Sequence, residues 1–134
     1  MAQNTSPIFP LTPRSTGLSV VGAGAITART AIVGTTGLSL CLAAGANGTR
    51  IDSIKMTGTG TTLAGLIDFW IYDGTTSRLY TSQLVAVVVA STTVQQWEAK
   101  LSFMDLVLPT GYSLYCSSQV ATQLVGVVTA AGDY

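Results

Sequence analysis

The chain of 134 residues contains no histidine, only two cysteines and four prolines, and only 9% of its residues are Asp, Glu, Lys or Arg. Without histidine the commonest general base and metal ligand is missing. Neither Cys41 nor Cys116 has an imidazole to activate it, which excludes a Cys–His nucleophile. Soluble domains average about 25% charged residues. Here six basic and six acidic groups cancel, so no long-range field steers nucleic acid or anionic lipid. Arg14, Arg29, Arg50, Lys55, Arg78 and Lys100 are scattered, with no basic stripe and no interleaved stacking aromatics. A nucleic-acid partner is not expected. The longest apolar run, Leu84 to Ala90, is strand length and far short of a spanning helix. Aromatic girdles on ten-residue strands are also lacking, so no membrane partner is expected.

The opening "MAQNTSPIFPLTPRSTG" lacks a basic n-region followed by an apolar h-region. The expectation is therefore a chain made in the cytoplasm, with Cys41 and Cys116 as free, buried thiols. The glycosylation-like triplets at Asn4 and Asn47 then carry no meaning. No calcium loop is visible in the carboxylate spacing, and neither a metal nor a cofactor is expected.

What the chain does have is 48% apolar residues, a mean hydropathy of +0.50, and 20 Thr and 12 Ser that solvate a β surface without charge. Near-zero net charge promotes association, and monomers usually avoid large exposed apolar patches. Some apolar surface is therefore expected to be covered by partner subunits.

Residues 1–16 read as an extended arm that docks on its own domain or on a neighbour. Pro7, Pro10 and Pro13 recur at every third position and remove amide donors while fixing φ. Ile8, Phe9 and Leu11 lie among them, as anchors for a neighbour. Residues 17–134 read as one β domain, with short β-favourable runs separated by turn signals. Strands are expected at 18–21 and 26–33, then through Leu38, Leu40 and Leu42, whose alternation places one apolar face. Asn47-Gly48 signals a hairpin. In "TRIDSIKM", Ile51 is out of step with Ile54 and Met56, which predicts a bulge near Asp52-Ser53.

"GLIDFWIYDG" is the clearest strand: Ile67, Phe69 and Ile71 share one face, and Leu66, Asp68, Trp70 and Tyr72 the other, before a tight turn at Asp73-Gly74. Further strands follow in "SRLYTSQLVAVVVA" and in "TTVQQWEAKLSF", where Trp97, Ala99, Leu101 and Phe103 share a face. "YSLYCS" and "QLVGVVTAA" supply the last two. About eight strands predict an all-β, antiparallel β-sandwich with jelly-roll topology; an immunoglobulin-like sandwich is the alternative.

No catalytic residue emerges. "VVGAGAIT" mimics a dinucleotide motif but has Thr27 at the third glycine position and no following helix. Of the carboxylates, Asp73 suits a turn, Glu98 a wet face and Asp133 a terminus. Asp68 is the hardest to dismiss, because Trp70 and Tyr72 share its face. This trio marks an interface or a glycan-binding face.

The proline-punctuated "SPIFPLTP", then "GANGTRIDSIKMTGTGTTLAGLIDFWIYDGTTSRLY", "WEAKLSFMDLVLPTGYSLYCSS" and the ending "GDY" resemble small structural proteins of tailed bacteriophages, in particular head decoration (cement) proteins. The resemblance implies a non-enzymatic virion protein on the capsid surface. It would bind the phage major capsid protein and itself, as a homotrimer, and stabilise the shell by bridging subunits. The alternative is a tail or tail-fibre module that binds a host glycan through Asp68, Trp70 and Tyr72.

Overall fold

The computed structural model describes residues 12–15, 19–20 and 25–134. These form ten strands and no helix: β1 (Thr12–Ser15), β2 (Ser19–Val20), β3 (Ile32–Val33), β4 (Ser39–Ala43), β5 (Thr49–Gly58), β6 (Gly65–Tyr72), β7 (Thr76–Val85), β8 (Glu98–Leu108), β9 (Ser113–Ser118) and β10 (Val125–Asp133). One sheet has the order β1-β10-β5-β8, with β2 also on β10; the other runs β3-β7-β6-β9-β4. All pairings between these strands are antiparallel. Setting aside the two-residue strands β2 and β3, this is the strand order of a jelly roll. Successive strands alternate between the sheets, and from β4 onward only β6 and β7 form a hairpin. The immunoglobulin-like alternative, with more consecutive strands paired in one sheet, does not apply.

The core lies between the sheets and is aliphatic. Ile51, Ile54, Met56, Leu108, Val125 and Val127 from one sheet meet Leu42, Ile67, Phe69, Val85 and Leu114 from the other. Complete burial of each such side chain is worth about 1.5–3 kcal/mol, and this burial holds the two sheets together. The bulge expected near Asp52-Ser53 is present. Against β10, Ala131 faces Ile51 and Ala130 faces Ser53, so Asp52 is the extra residue and is exposed while Ile51 and Ile54 both point inward; β8 breaks register at the same place, from Leu106 opposite Ile51 to Ser102 opposite Ser53. Asp105, one of the β8 residues inside this break, has φ 45°. Asp is among the few residues that tolerate the left-handed region.

Several expectations are corrected. Of the expected arm, residues 12–15 lie along the chain's own sandwich as an edge strand: Thr12 pairs with Asp133 and Pro13 with Gly132, a position where a missing amide costs least. The segment 26–33 is strand only at Ile32–Val33. The alternation of Leu38, Leu40 and Leu42 fails because a bulge between Leu40 and Leu42 turns Cys41 and Leu42 inward and leaves Leu40 exposed. Asn47-Gly48 makes a turn, with Gly48 at φ 94°, but not a hairpin. It carries the chain from β4 in one sheet to β5 in the other. Trp97, Ala99 and Leu101 do pack against the core.

Candidate docking surface at the uncharged end of the sandwich

Because the strands run alternately up and down, the loops gather at two ends. Loops 44–48, 73–75 and 109–112 lie at one end, with Thr12 and Asp133 beside them. Loops 59–64, 86–97 and 119–124 lie at the other. The first end is charged and cross-tied. Arg14 Nε is 3.3 Å from Asp133 Oδ1, Thr49 Oγ1 donates to the same carboxylate, and Arg78 meets Asp73 at 2.5 Å. The second end has no ionisable residue in any of its three loops.

That uncharged end is also where apolar surface is left open. Of the ten large apolar side chains exposed among the described residues, Leu63, Val87, Val89, Val94 and Leu124 belong to these loops, and Leu84 stands just before one of them. Ordinary exposed leucines need no explanation; six gathered where charge is absent form a patch.

The loops beneath the patch are locked together. Thr62 Oγ1 donates to Ala86 O at 2.7 Å and accepts from Val88 N at 3.0 Å. The Gln123 amide clasps the Leu63 backbone in both directions, at 2.7 and 2.8 Å, and Thr59 N donates to Leu124 O. Ser91 caps its own turn through Thr93 N and Val94 N. Thr62 and Gln123, both buried, thus hold valines and leucines outward on a fixed frame. A surface already ordered before contact loses less entropy when it binds.

The residues singled out in the sequence lie elsewhere. Ile8, Phe9 and Leu11 fall outside the described residues; the chain that carries them joins the sandwich at Thr12, at the charged end. Asp68 and Trp70 are completely buried, on the face of β6 turned away from the core cluster. Ala25 bridges Ser118 at the β9 edge and β3 pairs with β7 at the far edge, so residues 26–31 cross this face and cover it. Trp70 Nε1 donates to Ser117 Oγ at 2.8 Å. The Asp68 carboxylate accepts from Ser82 Oγ at 2.5 Å and Gln119 Nε2 at 2.8 Å. Two of the three residues proposed for an interface or glycan face are therefore sealed inside the chain. Tyr72 is half-buried, edge-on to Tyr115 with ring centroids 5.9 Å apart, and its hydroxyl donates to Gly74 O.

Asp68 and Glu98 lie on opposite outer faces. With sheets about 10 Å apart, they are farther apart than the roughly 5–9.5 Å of glycosidase pairs. A shallow concavity of about 360 Å³ at the β5–β8 bulge is lined by Arg50, Asp52, Lys100 and Asp105. Arg50 is already engaged there by Asp105 at 3.0 Å and Asp52 at 3.4 Å. No group of three or more metal-ligating side chains occurs among the described residues. No family model matches the chain, and no curated protein and no solved structure matches it.

Proposed function

We propose that this chain is a structural subunit of a phage virion, a decoration or cement protein that bridges major capsid subunits and so stabilises the shell. The observation that carries the reading is the uncharged end, with Leu63, Val87, Val89 and Leu124 exposed on hydrogen-bonded loops. The cores of protein interfaces are depleted of charge in the same way. The mechanism is mass action: a protein that binds only the assembled shell deepens that state. Jelly rolls serve in viral capsids and lectins alike, so the fold does not choose between them. A glycan-binding tail module acting through Asp68, Trp70 and Tyr72 has less support, because the first two are inaccessible.

In this reading the uncharged end seats on the capsid, while self-association and the arm residues Ile8, Phe9 and Leu11 reach neighbouring copies. The test is co-sedimentation with capsids that lack the protein. A Val87→Asp/Val89→Asp pair puts charge on side chains 60% and 64% exposed. It is expected to leave folding within about 0.5 kcal/mol and to weaken particle binding about a hundredfold or more, because buried unpaired charge costs several kcal/mol. A Thr110→Asp control at the opposite end keeps full binding. Deleting residues 2–11, which spares β1, lowers occupancy without unfolding the domain. Undiminished binding by the double aspartate variant would overturn the assignment of this end.

A further inference from the structure

Cys41 and Cys116 are free and buried, as the sequence leads one to expect, at 3% and 0% exposure. The fold also brings them together. Ser39 faces Cys116 across the β4–β9 pair, and the bulge that follows inserts Cys41 on the core side as an extra residue. The Cys41 thiol leans back along its strand, its Sγ 3.9 Å from Ser39 O, the residue directly opposite Cys116. The neighbouring Cys116 thiol, and then burial, push the Cys41 thiol far above its usual range. Both belong to the same core cluster. Alternation from Ser39, which faces Cys116, puts Cys41 on the core side, and the bulge lets Leu42 turn inward as well.

We propose that Cys41 and Cys116 are a latent cross-strand disulfide site, open while the chain is in a reducing compartment and closed when it meets a small-molecule disulfide oxidant such as oxidised glutathione. The exchange has two steps. One cysteine thiolate attacks the oxidant's S–S bond and releases one glutathione thiolate, leaving a mixed disulfide. The second cysteine then attacks the protein sulfur and expels the second glutathione. The two cysteine protons end on the two glutathione thiols, and the oxidant's S–S bond is replaced by the Cys41–Cys116 bond. In the closed fold this is slow, because only the thiolate attacks and burial disfavours it. β4 is five residues long and ends the described order of its sheet, next to β9, and local opening of such a segment costs less than global unfolding. The disulfide would pin that edge and close a loop running from Cys41 to Cys116. This inference is independent of what docks on the uncharged end.

The test measures how strongly folding favours the bond. The full chain is unfolded and reduced, then equilibrated in a glutathione redox buffer with and without concentrated urea, quenched with acid, and analysed by intact mass and peptide mapping. In native buffer the expected product is monomeric, two hydrogens lighter, with one Cys41–Cys116 linkage. The effective concentration of each thiol for the other should be about tenfold or more higher than in urea, since folding and bond formation are linked. Cys41→Ser and Cys116→Ser chains should give only a mixed disulfide with glutathione. Native protein that keeps both thiols free or capped by glutathione, forms interchain dimers, or shows the same effective concentration in urea would overturn the proposal.

Discussion

Replacing Trp70 by phenylalanine tests whether the outer face of β6 is sealed. The indole is fully buried and its Nε1–H meets Ser117 Oγ at 2.8 Å. Trp70→Phe leaves that buried hydroxyl without its partner, at about 1–3 kcal/mol. A residual void of roughly 40 Å³, at about 24 cal/mol per Å³, adds about 1 kcal/mol. The expected loss is about 2–4 kcal/mol. Ser117→Ala alone orphans the indole N–H and costs about 1–3 kcal/mol. With both replaced, no polar atom of the pair is left unmatched, so the double variant is less destabilised than the sum of the singles by about 1–3 kcal/mol. Urea unfolding measures this, with Trp97 retained as the fluorophore and an unchanged m-value as the check on two-state behaviour. A Trp70→Phe chain within about 0.5 kcal/mol of the parent, together with an additive double variant, would refute the buried hydrogen bond. It would also return this face to the glycan-binding reading.

Two further outcomes follow from charges on the surface. Asp73 accepts from Thr76 N, Arg78 and Thr75 N, the backbone bond from Thr76 contributing most, and these hold its carboxyl at about 2 against the ordinary 3.8. A depressed acid stabilises the fold above its unfolded pKa. The stability advantage over Asp73→Asn should therefore be complete above pH 4 and fade as pH falls from 3.8 towards 2, followed by melting temperature across an acid series. On the outer face of the other sheet, Lys55 lies directly opposite Lys100. Lys100→Glu replaces that like-charge pair with an attractive one and should stabilise by about 0.2–1 kcal/mol, less at high salt. Destabilisation in a urea titration would contradict the register of β5 on β8.

The sequence by itself determined the class of fold and most of its strands. Alternation in "GLIDFWIY" and around Trp97 marked core faces, and the one-residue slip between Ile51 and Ile54 marked the bulge at Asp52, because these depend on neighbouring residues alone. Tertiary structure decided the rest. Whether Asn47-Gly48 closes a hairpin or links two sheets depends on which strand lies beside β4, and that is β9, about 70 residues onward. The face of Asp68 and Trp70 read as open because amphipathic spacing cannot show that residues 26–31 lie across it. Cys41 and Cys116 share the core because β4 pairs with β9 with Ser39 opposite Cys116, a register that the leucine alternation concealed. The uncharged end follows the same logic. The charge-free stretches 56–67, 79–97 and 106–132 are legible in the sequence, but they are far apart in the chain. Only alternating strand directions collect their loops at one end, since the position of a loop is set by long-range strand pairing and not by its own residues.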